Sequence, residues 1–162
     1  MPDLILKSAW RRNDEQAAAD AIAFWEKHNL VTPPQERERR VSELGVVTYA
    51  DGEVVAVATA ELAILPGLRA RFAVCRTAVH PEFRRQQLSA RTFGHFRTLL
   101  EAWSADHPEE KVMGMAAVLQ AAEYEEKQRE PIWPDWGLFL TLVGYTPRNE
   151  QIRVAWFRHA RI

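Results

Sequence analysis

Two turn signals inside one long β-rich stretch restrict this chain more than anything else in it. In "GVVTYADGEVVAVATAEL" two runs rich in β-branched residues flank Ala50-Asp51-Gly52, and in "AILPGLRARFAVCRTAV" two more flank Pro66-Gly67. Asp-Gly suits a tight hairpin because the turn needs residues tolerant of positive φ. Three consecutive strands therefore form an antiparallel meander, the last ending near Val79. The period then changes. Phe93, Phe96, Leu99, Leu100 and Trp103 recur at spacings of three and four, which predicts a helix from Ser89 to about Trp103 with one apolar stripe. "KVMGMAAVL" behind it reads as a buried strand. Strand, helix and strand make a βαβ unit, and a meander feeding such a crossover implies a mixed sheet with helices on its faces.

The flanks complete the order. "DLILKSAW" reads as a first strand, and "RRNDEQAAADAIAFWEKHN" as a helix that Asn13 or Asp14 can cap. A second, more polar helix follows the Pro-Pro break in "VTPPQERERRVSEL", with Thr32 as its candidate cap. Beyond the βαβ unit, "AAEYEEKQRE" predicts a polar helical turn, "PIWPDW" a Pro/Trp loop, and "GLFLTLVGY" a short apolar helix or its remnant. "EQIRVAWFRHA" closes the chain as a strand, and a further strand at Tyr145-Thr146 stays open. The expected order is β-α-α-β-β-β-α-β-α-β in a single α/β domain over residues 1–162.

Composition narrows the function classes. Apolar residues make up 47% and charged residues 27%, the balance of a globular rather than a disordered chain. A net charge of −1 supplies no field toward nucleic acid or an anionic membrane, so neither is expected as a partner. The apolar patch in "MPDLILKSAW" is too short for a signal peptide, no run approaches a membrane span, and the lone Cys75 fits a reducing compartment. A cytoplasmic protein is the expectation. Cys75 is flanked mid-strand by Val74 and Arg76 and reads as a buried, inert thiol. The five histidines are scattered without metal-ligand spacing, so no metal is expected.

The stretch "TAVHPEFRRQQLSAR", Thr77 to Arg91, places a basic, amide-rich turn between the third meander strand and the helix. A helix N-terminus offers unpaired N–H groups and the positive end of the macrodipole, and successive turn amides can form a nest for an anion. Arg84 and Arg85 add fixed charge. A nucleotide-linked pyrophosphate would sit well there, although such a turn can also be a solvated helix start. With the Val79-His80-Pro81 corner, the turn Arg84-Arg85-Gln86-Gln87-Leu88-Ser89-Ala90 and the echo Val143-Gly144-Tyr145, the chain resembles the GCN5-related N-acetyltransferase (GNAT) family. That resemblance implies a mostly antiparallel acyl-CoA N-acyltransferase fold with acetyl-CoA as co-substrate. Its pantetheine arm would add like a strand beside the backbone of Thr77, Ala78 and Val79, and its pyrophosphate would lie on Arg84 to Ala90. Gln87 and Ser89 stand where the family has glycines, and a glutamine at positive φ would be strained.

Acetyl transfer to an amine requires a deprotonated amine, a polarised thioester carbonyl and an outlet for the leaving thiolate. The resemblance implies a glutamate base on the central strands. Glu61, in "VAVATAELAIL", is the candidate, since burial there would favour a base. A cross-strand pair with Arg71 or Arg76 is the competing role. The tyrosine that the family frequently has four residues before its Gly-Phe falls here on Leu140, and Tyr145 and Tyr124 are the nearest phenols; Tyr145 is taken as the candidate acid. His80 could also act as a base near neutral pH, but its place at the proline corner suits a surface or turn role. Trp133 and Trp136 can line an acceptor pocket or simply pack in the core. The expected acceptor is a primary amine of a small molecule or peptide, and a homodimer through the final strands is a further expectation. The second reading is a non-catalytic protein of the same fold that binds acyl-CoA or a partner chain.

Overall fold

The computed structural model describes residues 2–84, 87–119, 126–134 and 137–162. Its elements run β1 (Leu4–Ser8), α1 (Glu15–Lys27), α2 (Pro34–Val41), β2 (Leu44–Ala50), β3 (Glu53–Leu65), β4 (Ala70–Val79), α3 (Leu88–Asp106), β5 (Val112–Leu119), β6 (Ile132–Trp133), β7 (Leu140–Tyr145) and β8 (Gln151–Trp156). The strands form an eight-stranded sheet in the order β1-β2-β3-β4-β5-β8-β7-β6. β4 and β5 pair in parallel, as the βαβ reading requires, while β5–β8, β7–β8 and β6–β7 are antiparallel. This is the mixed α/β sheet expected from the sequence. The chain groups into two compact units, one of residues 1–60 and 76–99 and the other of residues 61–75 and 100–162.

In the first unit the β2–β3 hairpin closes at Asp51 and Gly52, both at positive φ (49° and 82°), the geometry that the Asp-Gly pair encodes. Helix α1 starts at Asp14, whose carboxylate accepts the Ala17 N–H at 3.0 Å. That bond and the neighbouring Lys7 hold the Asp14 carboxyl below its usual range. Phe24, Trp25, Ala17 and Ala21 of α1 pack with Leu44 and Val47 of β2 and Val57 of β3. Each of the two aromatic rings contributes roughly 1.5–3 kcal/mol by leaving water. The α3 residues Leu88, Thr92 and Phe96 are buried, and Phe96 lies where a side chain on Gly45 would otherwise stand.

In the second unit, Phe72 of β4, Ala116 of β5 and Val154 of β8 form a core cluster, and the Phe72 ring meets Trp156 edge-on at 5.0 Å. Gly114 lets β5 approach the Ala155 carbonyl of β8 closely. Leu100 and Ser104 of α3 are buried here, and the Ser104 hydroxyl donates to the Val112 carbonyl at 2.7 Å.

Three expectations need correction. Thr32 does not cap α2: the helix starts at Pro34 behind Pro33 with no side-chain cap, and a proline at the first helical position has no N–H to satisfy. "GLFLTLVGY" yields strand β7, paired as Thr141↔Val154, Leu142↔Arg153, Gly144↔Ile152 and Tyr145↔Gln151. Periodicity alone cannot tell a short apolar strand from a short helix, and the β-branched Thr141 and Val143 favour the strand once β8 offers a ladder. Tyr145 is the end of β7 rather than the start of another strand. The predicted "AAEYEEKQRE" helical turn lies partly outside the described residues; its described part holds one 3-10 turn, Lys127–Arg129. Among the described residues no helix is long and apolar enough to cross a membrane.

Candidate functional site

The candidate site lies in the first unit, at the end of β4 and the start of α3. The parallel ladder between β4 and β5 runs through Val74↔Ala116, and β4 continues to Val79. Thr77, Ala78 and Val79 are half-buried. Ala78 packs against the α1 cluster, and Val79 packs with Ala50, Val55, Ala56 and Leu88. The Thr77 hydroxyl oxygen is buried without a hydrogen-bond partner. An unsatisfied buried hydroxyl costs about 1–3 kcal/mol.

His80 breaks the strand. Its backbone N–H donates to the Val55 carbonyl at 2.7 Å, and its Nδ1 accepts the Glu82 N–H at 3.1 Å, capping the 3-10 turn Pro81–Phe83. Arg84 follows with an exposed side chain. Arg85 and Gln86 lie outside the described residues. Gln87 is exposed with φ +54°, and its carbonyl accepts the Arg91 N–H at 3.0 Å, the first bond into α3. The positive φ expected of a glycine in this turn is therefore present, on a glutamine. Leu88 is buried, with Ser89 and Ala90 half-buried behind it. Because α3 begins at Leu88, Ser89 stands inside its first turn rather than at the cap. The first-turn N–H groups of this 19-residue helix have no intrahelical acceptor, and Arg84 stands just before them.

His28, at the C-terminal end of α1, lies beside the corner with its ring 4.5 Å from that of His80. Burial, with help from His80, Lys27 and Arg84, holds its imidazole below the ordinary histidine range. The sequence carried one usable hint of this pair: His28 closes an amphipathic helix behind Phe24 and Trp25, where a buried ring fits.

The other candidates lie in the second unit. Glu61 is exposed on β3, so the burial that would favour it as a base is missing. Arg71 is not its partner, because Arg71 binds the Glu110 carboxylate at 2.7 Å and the Glu110 carbonyl at 2.9 Å. Tyr145 is 56% exposed at the end of β7 and does not pack inward, while Leu140 is buried. Trp133 is buried: its Nε1 donates to the Lys127 carbonyl at 2.6 Å, and the Arg153 guanidinium covers its ring at 3.9 Å. Trp136 lies outside the described residues. Sequence reading passed over Arg153, fully buried in β8, which donates to Gln151 and to the Glu130 carbonyl. A charge between the inward-facing Gln151 and Ala155 of a strand was the available signal. Cys75 is buried, as expected, and burial pushes its thiol up. Among the described residues no group of three or more His, Cys, Asp and Glu could hold a metal ion.

No family model matches the sequence, and no curated protein matches it. Solved structures do match in fold. The chain is similar to the acetyltransferase of GNAT family from Streptococcus pneumoniae, with a TM-score of 0.56 and 10% identity over 94% of this chain and 96% of that one. It is similar to the ribosomal-protein-S18-alanine N-acetyltransferase from Escherichia coli, with a TM-score of 0.59 and 14% identity over 98% and 97% of the two chains. A mutant of the AtaT toxin, bound to the C-terminus of the antitoxin AtaR and acetyl-CoA, matches with a TM-score of 0.56 and 12% identity over 94% of each chain. The chain thus has the fold of GNAT acetyltransferases.

Proposed function

We propose that this chain is an acetyl-CoA-dependent N-acyltransferase that acetylates a primary amine of a small molecule or peptide by direct transfer. The observation that carries the reading is the path from Thr77 to Ala90: a strand end, a capped corner, a positive-φ turn next to Arg84, and the N-terminus of a long helix. Coenzyme A fits this path. Its pyrophosphate would take the N–H groups of the first α3 turn and the charge of Arg84, with Arg85, Gln86 and Gln87 as further candidate contacts from the sequence. Its pantetheine arm would run along the backbone of Thr77, Ala78 and Val79, where the partnerless Thr77 hydroxyl supplies one more polar atom. Solved structures of the same fold include one bound to acetyl-CoA.

The chemistry asks little else of the chain. The amine nitrogen attacks the thioester carbon, the carbon–sulfur bond breaks, and the amine loses one proton while the thiolate gains one. The sequence candidates for these two proton transfers are Glu61 for the amine and Tyr145 for the thiolate. Positioning of the two reactants supplies most of the acceleration. Release of free thiol from acetyl-CoA, dependent on an added amine, tests the reading. No thiol release across a panel of small amines and peptide N-termini, with acetyl-CoA bound, selects the second reading, a non-catalytic acyl-CoA binder. That reading is favoured by Gln87 in place of a glycine and by the buried Leu140 where a phenol is expected. An unchanged rate–pH profile in Glu61→Gln removes Glu61 as the base, and the same result in Tyr145→Phe removes Tyr145 as the acid.

A further inference from the structure

His80 is held from four directions. Its backbone N–H binds Val55, and its carbonyl accepts the Phe83 N–H at 2.8 Å. Its Nδ1 accepts the Glu82 N–H, and its ring lies edge-on to both His28 (4.5 Å, 71°) and Phe83 (5.5 Å, 84°). His28 is fixed in turn: its backbone N–H bonds to Phe24, its ring lies 4.9 Å from that of Phe24, and its Nε2 is buried without a hydrogen-bond partner. Phe83 packs with Leu88 in the cluster under the turn. The corner where the chain leaves β4, a few residues before Arg84, is held by these backbone bonds and by the contacts of one imidazole.

We propose that His80 is a positioning residue for the coenzyme A turn and that it holds the turn only while its Nδ1 is unprotonated. The proposal rests on the reading above that this turn takes the pyrophosphate. The Glu82 bond requires the Nδ1 lone pair. A proton on Nδ1 would set an N–H against an N–H, and the cap, the Pro81–Phe83 turn and the Arg84 geometry would loosen together. The charged and titratable groups facing the His28–His80 pair are Lys27 and His28 itself from α1, Glu53 from β3, and Arg84 from the turn. Glu53 already binds Lys27 at 2.8 Å. A purely electrostatic effect has the opposite sign, because a new positive charge beside Arg84 would attract a pyrophosphate. The direction of the pH dependence therefore decides between the two.

The test is calorimetric titration with 3′-dephospho-coenzyme A, which lacks the phosphate monoester that itself titrates near pH 6. Wild type, His80→Asn and His80→Ala are compared at pH 8 and pH 5.5. At pH 8, His80→Asn stays within about twofold of wild type because the asparagine oxygen takes over the cap, whereas His80→Ala binds about fivefold more weakly, the size of one lost capping bond. On acidification the wild type weakens by about fivefold and His80→Asn stays flat, a coupling at the lower end of the usual range. Affinity that is constant or rises in acid overturns the proposal, as does a wild-type slope retained in His80→Asn, or His80→Asn as weak as His80→Ala. If His80→Ala does not fold, the wild-type and His80→Asn series decides alone. No binding by any form at either pH removes the coenzyme A reading itself and the proposal with it.

Discussion

Replacing Gln87 separates backbone strain from side-chain chemistry at the heart of the turn. Gln87 sits at φ +54°, in the left-handed region where a Cβ crowds the following carbonyl. A non-glycine residue there is disfavoured relative to glycine by about 1–2 kcal/mol, and the greater freedom of glycine in the unfolded chain offsets part of that. The side chain is exposed, so its truncation alone shifts stability by no more than about 0.5 kcal/mol. Gln87→Ala keeps the strained backbone and Gln87→Gly relieves it. The glycine variant is therefore expected to be more stable than the alanine variant by about 1 kcal/mol, a difference of roughly 2–4 °C in melting temperature for a chain of this size. Urea unfolding followed by tryptophan fluorescence measures it. Glycine also lets a phosphate approach the backbone, so acetyl-CoA binds Gln87→Gly more tightly than wild type. Equal stability of the two variants, or a more stable alanine variant, would refute the assigned backbone geometry and with it the turn as described.

Two further outcomes follow from the structure. Gly45→Ala drives a methyl group into the Phe96 ring and is expected to destabilise by about 1–3 kcal/mol in the same unfolding assay; a change below about 0.5 kcal/mol would mean that α3 does not sit on β2 as described. His28 is held below the usual histidine range in the fold, so below about pH 6.5 the unfolded chain takes up a proton that the folded chain refuses. Its contribution is present in full above that pH and declines as pH falls. Stability measured at pH 7.5 and pH 5.5 should drop less in His28→Phe than in wild type, and equal drops would contradict the half-buried neutral imidazole.

The meander and the βαβ unit were legible because local chemistry and tertiary context agree there. Asp51-Gly52 demands its turn whatever surrounds it; the strand ends at Val79 as read, while the helix starts one residue before Ser89 and ends three residues after Trp103. The second half was harder to read. Nothing local separates a helical from an extended "GLFLTLVGY"; the partner strand β8 decides, and it begins at Gln151, beyond the segment itself. In the site, the positive φ at position 87 was legible as a consequence of the turn. The ring contact between His28 and His80 was not, because the two are far apart in sequence and meet only when α1 packs beside the end of β4. Trp133 was open to two readings because an indole suits a pocket wall and a core equally well. The Arg153 guanidinium 3.9 Å over its ring is a contact that no spacing rule announces.

The central claim is that the Arg84 turn and the α3 N-terminus form a coenzyme A cradle. Calorimetric titration of acetyl-CoA into wild type and Arg84→Ala tests it most directly. The account predicts saturable binding to the wild type at submillimolar ligand. It also predicts a loss of roughly tenfold or more in Arg84→Ala, the size of one charge-assisted hydrogen bond. The melting temperature of the variant should hold within a degree or two, since the side chain is exposed. No heat of binding at millimolar acetyl-CoA, or an Arg84→Ala variant that binds as tightly as wild type, would contradict it.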